Sequence, residues 1–99
     1  MKNLNQIVLN GVISTTYSLR YTPSGISIQS FLLNHLSNQI DGGVERIVKC
    51  RILCILLNLK LFDNNFLLNK NVIVKGFISI NSKEQIVLNV QDINFITNC

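Results

Sequence analysis

Apolar residues recur at every second position along most of this 99-residue chain, the spacing of strands that bury one face. The apolar set is dominated by Ile, Val and Leu, and its β-branched members suit a pleated, half-buried surface better than a helix. A first strand is predicted from Gln6 to Ser18, with Ile7, Leu9 and Ile13 on one face and Val8 and Val12 on the other. Gly11 falls inside it, and a glycine within a strand marks a bulge or a sharp bend. In "LRYTPSGISIQSFLLNH" (residues 19 to 35) Pro23 presets the first central position of a tight turn and Gly25 supplies any positive φ that closure needs. A second strand follows from Ile26 to about Ser37, and "DGG" at 41 to 43 is a hairpin signal.

The third strand, "VERIVKCRILCILL", carries the most information. Alternation puts Val44, Val48, Cys50, Ile52 and Cys54 on one face, with Arg46 as the exception, and Glu45, Ile47, Lys49 and Arg51 on the other. The first of these faces reads as core and the second as charged surface. Residues 58 to 71 accommodate either one short helical turn or an irregular crossover. "VIVKGFISI" is a fourth strand, "NSKEQ" at 81 to 85 a short turn, and "IVLNV" with a final "INFI" edge completes the pattern.

Five strands, the first long and bent, with the crossover between the third and fourth, are the layout of an all-β OB-fold, a five-stranded Greek-key barrel. Ninety-nine residues suffice for one such domain, 1–99, whose core requires neither a disulfide nor a metal. The net charge of +4 permits an acidic partner. Three cysteines and no recognisable secretory signal point to reduced thiols in the cytoplasm. "ILCILLNLKLF" is too short and too polar to span a membrane, for which ~18 apolar residues are needed, so a soluble protein is expected.

Catalysis and metal binding are disfavoured by geometry. On an extended strand Cys50 and Cys54 lie roughly 13 Å apart, too far to share one zinc, and are expected to be core thiols. His35, Ser37 and Asp41 supply the residue types of a hydrolase triad, but neighbours along one strand and its turn do not converge as nucleophile, base and orienter. No glycine-rich phosphate loop precedes a helix. The expectation is a protein that is not an enzyme and uses no cofactor and no metal.

Small OB barrels bind single strands across their second and third strands and the first and last loops, with cations on phosphates and aromatic rings under bases. The candidate DNA-binding residues are Arg20 and Tyr21 in the first connection, Arg46, Lys49 and Arg51 on the third strand, and Lys83 in the last loop.

"IVLNGVI" followed by "LRYTPSGISIQSFLLNH", with the later "GFISI" and "IVLNVQDINFI", resembles the primosomal replication protein N family, OB-fold relatives of bacterial single-stranded-DNA-binding proteins. The resemblance covers nearly the whole chain. It implies a homodimer that binds single-stranded DNA as an accessory of the replication restart primosome, assisting a restart helicase, with other primosome proteins, at stalled forks. It also implies basic roles for Arg20 and Arg46. Lys49 stands where relatives can carry a stacking tryptophan, and this chain has no Trp. Glu84 beside Lys83 partly cancels the charge of a loop that looks shorter than that of relatives. Two alternatives stand beside this reading: a general single-stranded-DNA-binding protein, and a protein–protein adapter that keeps the fold with little DNA affinity. RNA as the ligand stays open, because nothing in the sequence reads a 2′-hydroxyl.

Overall fold

A computed structural model of the chain describes residues 4–57 and 62–96. Its strands are β1 (Ile7–Thr16), β2 (Arg20–Tyr21), β3 (Ser27–Asp41), β4 (Val44–Leu57), β5 (Asn71–Ile80) and β6 (Ile86–Phe95), with one helical turn, α1 (Asn64–Leu67), between β4 and β5. The sheet runs β1-β5-β6-β4-β3-β2 and closes through a further β1–β3 pairing. Five long strands thus form a barrel, with the two-residue β2 attached to β3. Closure depends on β1 changing partner: Ile7–Val12 pair with β5, and from Val12 onward the strand pairs with β3. On the other side β4 and β6 run parallel over Leu53–Leu56 and Val87–Val90. The architecture is the expected OB-fold.

The inward residues of each strand fill the barrel: Ile13 from β1, Phe31 and Leu33 from β3, Cys54 and Leu56 from β4, Val72 and Val74 from β5, Leu88 and Val90 from β6. Leu67 of α1 plugs one end. The crossover is held down by a buried amide. Gln29 Nε2 donates to the Phe62 carbonyl (2.6 Å) and Gln29 Oε1 accepts from the Phe62 N–H (3.2 Å), so this polar side chain satisfies itself inside the protein. Asp63 caps α1 by accepting from the Asn65 N–H at 2.8 Å. The short helical turn is therefore real; residues 58–61 of the same crossover lie outside the described residues.

β3 and β4 pair over their whole length, from Ile28↔Leu57 to Asp41↔Val44. Gly42 and Gly43 join them with φ of 60° and 82°, the two positive values that a type I′ turn demands. The far half of this hairpin stands clear of the barrel, and every residue from Asn38 to Arg51 is exposed. This corrects the reading of β4's first face as core. Ile52, Cys54 and Leu56 are covered, whereas Val44, Val48 and Cys50 alternate correctly but lie beyond the barrel's end, with Val44 62% exposed.

Two further expectations change. β1 bends at Ser14, the residue skipped where its register against β3 shifts between Ile13 and Thr15. Gly11 pairs regularly with Val72, and its lack of a side chain admits the β3 backbone, since a Cβ there would strike the Asn34 carbonyl oxygen. The C-terminal segment is one strand, not a strand plus an edge. The register moves from Gly76↔Val90 to Lys75↔Asp92 and skips Gln91. That extra residue reverses the phase, so that Val90 and then Ile93 and Phe95 all turn inward.

Gly76 sits at this bulge, where a Cβ would overlap the Asn89 carbonyl oxygen. Gly76→Ala is expected to cost about 2–3 kcal/mol through backbone overpacking, lowering Tm by about 10–20 °C in a domain of this size. Gly42→Asn meets open space and gives the turn an Asn-Gly pair, so its Tm should stay within a few degrees of wild type, which thermal denaturation monitored by circular dichroism will show.

Candidate functional site

A groove of 850 Å³ crosses the outside of the barrel. Its floor is the outer face of the β3–β4 ribbon, Ser30 and Leu32 against Arg51, Leu53 and Ile55. One wall is the β1–β2 connection with Tyr17, Ser18 and Arg20, and the other is the last loop with Asn81, Ser82, Lys83, Gln85 and Ile86. The alternation that turns Cys54 and Leu56 into the core turns Arg51, Leu53 and Ile55 outward. Both walls are fixed by local hydrogen bonds. In the last loop Asn81 Oδ1 accepts from the N–H groups of Lys83 (2.9 Å) and Gln85 (3.0 Å), while the Asn81 carbonyl accepts from Glu84 N–H at 3.0 Å. The first connection is anchored at Thr22, whose carbonyl accepts from Gly25 N–H and whose N–H donates to the Ile26 carbonyl, both at 2.9 Å.

Arg20, Arg51 and Lys83, far apart in sequence, thus line a single groove. Lys49 lies one step further along the same face, in an adjoining 530 Å³ concavity with Val12, Asn34, His35, Leu36 and Cys50, and Arg51 lines both. Among the described residues the one ion pair is Arg46–Asp41, at 2.7 Å, so the cations of the groove and its extension have no carboxylate within ion-pair distance. Their charge is available to a ligand, and crowding it into a concave apolar-floored surface strengthens its field there.

Two candidates fall elsewhere. Arg46 is on the opposite face of the hairpin, opposite Gln39, and its guanidinium is engaged by Asp41. Tyr21 pairs with Ser27 in the short β2; the alternation that puts Arg20 into the groove turns Tyr21 away from it, and the residue is 61% exposed. The sequence reading also missed groove residues. The alternation that marked Lys49 and Arg51 runs on to Leu53 and Ile55 and was a sufficient signal for them. Tyr17 falls inside the predicted first strand, where unbroken alternation puts it on the core face with Ile13; the register shift between Ile13 and Thr15 reverses that phase and turns it to the groove.

Burial pushes the Cys54 thiol up from 9.0 to about 12, so it stays protonated at neutral pH and unsuited to metal binding or nucleophilic attack. Cys50 is exposed, not in the core, and lies opposite His35 in the ladder. Among the described residues no group of three His, Cys, Asp or Glu side chains is placed to hold a metal ion. His35 does meet Ser37, Nε2 to Oγ at 2.8 Å, which the sequence reading did not foresee. Its Nδ1 faces the Asn10 carbonyl at 2.7 Å and must therefore carry a proton. The position that would orient a catalytic base is filled by backbone, and Asp41 is held by Arg46. The arrangement ties β3 to β1.

A closed barrel with a cationic groove between its first and last loops defines a class of single-strand-binding OB domains. The family described as "another single-strand binding protein family" matches residues 5–92, and the chain belongs to it. Among curated proteins it is 33% identical to the replication restart protein PriB of Nitrosomonas europaea, covering 95% of this chain and 90% of that one. It is 31% identical to PriB of Pectobacterium atrosepticum, covering 97% and 96%. Among solved structures it is similar to PriB of Ralstonia solanacearum (TM-score 0.79, 17% identity, 94% of this chain and 98% of that one). It is also similar to a deletion mutant of the Thermus aquaticus single-stranded DNA binding protein (TM-score 0.76, 21% identity, 95% and 51%).

Proposed function

We propose that the protein is a nonenzymatic single-stranded-DNA-binding accessory factor of replication restart that assists a restart helicase at stalled forks. The observation that carries the binding half is the convergence of Arg20, Arg51 and Lys83 on one groove without carboxylate partners among the described residues. In this reading phosphates run between the two walls, Arg20 and Lys83 gripping from opposite sides and Arg51 from the floor. Lys49 extends the track toward the hairpin. Bases lie against Leu32, Leu53 and Ile55. Membership of the family and the similarity to replication restart proteins over nearly the full chain support the restart context, and the helicase and other primosome proteins are the partners it implies. The working compartment is the cytoplasm, where forks are rebuilt; among the described residues no helix is long and apolar enough to cross a membrane.

Affinity for oligo-dT should fall with salt at a slope of about −0.7 per phosphate neutralised, giving roughly −2 to −3 for three or four contacts. Arg51→Ala combined with Lys83→Ala should flatten that slope by about 1.4, and Arg46→Ala should leave it unchanged. Fluorescence anisotropy at several salt concentrations reads all three. If wild-type protein shows no salt-dependent binding in dilute buffer, the adapter reading replaces this one.

The same reading includes a two-fold homodimer. The outer faces of β1 and β5 expose Val8, Val12, Ile73 and Phe77, with Val8 57% exposed; Val8 and Val12 lie diagonally across the ladder from Ile73, with Lys75 directly opposite Val8 and Asn10 opposite Ile73. An apolar patch on a closed barrel suits isologous contact with a second copy. Pairing two grooves would raise avidity without new contacts to DNA. Light scattering at micromolar concentration should give twice the chain mass, and Val8→Glu should return it to the monomer value; a wild-type monomer would contradict the assignment.

A further inference from the structure

The binding groove contains one aromatic ring. The chain has five Phe, two Tyr and no Trp, and most of these rings are committed elsewhere. Phe31 is in the core. Phe62, Phe66 and Phe95 pack on one another at the α1 end of the barrel, with centroids 5.3 to 6.4 Å apart, and Lys70 Nζ sits 5.0 Å over the Phe66 ring. Phe77 is on the outer face of β5, and Tyr21 is turned away from the groove. Tyr17 alone lines the groove, in the wall that also carries Arg20 and alongside Arg51 and Lys83. The residue is 41% exposed, and its ring takes part in none of the aromatic or cation–π contacts among the described residues.

The residue is also held in place. Its N–H donates to the Ser30 carbonyl at 3.1 Å, and its own carbonyl accepts from Asn64 Nδ2 at 3.1 Å. The barrel wall and α1 therefore fix the backbone from both sides. A positioned ring with an unused π-face, in a groove with cations and an apolar floor, has the chemistry of a nucleobase platform. Stacking on such a ring is sequence-tolerant, since every base has a π-face. Resting on the single-strand reading of this groove, we infer that Tyr17 is the base-stacking residue of the site. One base of a bound strand lies on its ring while the flanking phosphates meet the cations of the groove. Stacking needs the ring and not the hydroxyl, and it is independent of counterion release.

These properties set the test, with labelled oligo-dT as the probe. Tyr17→Leu should weaken binding about 5- to 100-fold by the same factor at every salt concentration, leaving the salt slope unchanged. Tyr17→Phe should stay within about twofold of wild type. On an abasic oligonucleotide of equal length, Tyr17→Leu and wild type should bind alike. A second readout leaves Tyr17 intact: in Tyr21→Phe, Tyr17 is the sole tyrosine of a chain without Trp, and saturating oligo-dT should quench its fluorescence. The inference is overturned if wild type binds and Tyr17→Leu binds equally well, if Tyr17→Phe loses as much as Tyr17→Leu, or if Tyr21→Phe binds without quenching. In each of those cases the single-strand reading itself survives. Failure of wild type to bind oligo-dT at all would sink both.

Discussion

The antiparallel ladder between β3 and β4 decides what every other part of the protein can do. Its register puts Phe31 opposite Cys54 and Leu33 opposite Ile52 on the inner face, and Leu32 opposite Leu53 and Asn34 opposite Arg51 on the outer. Strand side chains alternate with a period of two, so a slip of one residue in either strand would turn its core set to solvent and its cations inward. The two-residue Gly42–Gly43 turn pins that register from one end. The buried inner face pins it from the other, because Phe31, Leu33, Cys54 and Leu56 must all reach the core together. One set of pairings therefore makes both the hydrophobic interior and the proposed binding face.

The groove follows from closing this ribbon into a barrel. Pairing of β3 with β1 brings the first connection over one side of the outer face, and parallel pairing of β4 with β6 brings the last loop over the other. Arg20 and Lys83 become opposite walls only because both closures are made. Since the walls are held by the turn at Thr22 and by the Asn81 side chain, the proposed binding would not first have to order a loop, which would reduce its entropic cost. Tryptophan is absent, so in the proposed binding mode electrostatics and apolar contact would carry most of the interaction, and salt should govern it more than base identity.

Much of this was legible in the sequence because alternation reports which side of a strand a residue occupies. β4 spans Val44–Leu57, as "VERIVKCRILCILL" suggests, and Lys49 and Arg51 share the outer face. Alternation does not report depth. Val44 and Cys50 have the same phase as Cys54 yet stand in solvent, because the hairpin outruns the barrel. It also breaks at bulges: the extra residue at Gln91 made one strand look like two. The shift between Ile13 and Thr15 likewise turned Tyr17 from the face its phase suggests, and Phe62, outside any strand, carries no phase at all. Arg46 was chosen for its charge and the family resemblance against its phase, and Tyr21 for its ring; each lies on the side of its strand that faces away from the groove.

In the proposed mode of binding a single nucleic-acid strand lies across the outer face of β3 and β4 between the first connection and the last loop. Backbone amide chemical-shift mapping during titration with oligo-dT locates the strand directly. The largest shifts should fall on Arg20, Leu32, Arg51, Leu53 and Lys83, with Arg46, Val48 and the α1 end little changed. Shifts concentrated on the inner face of the hairpin, or around Phe66 and Lys70, with the groove silent, would contradict it.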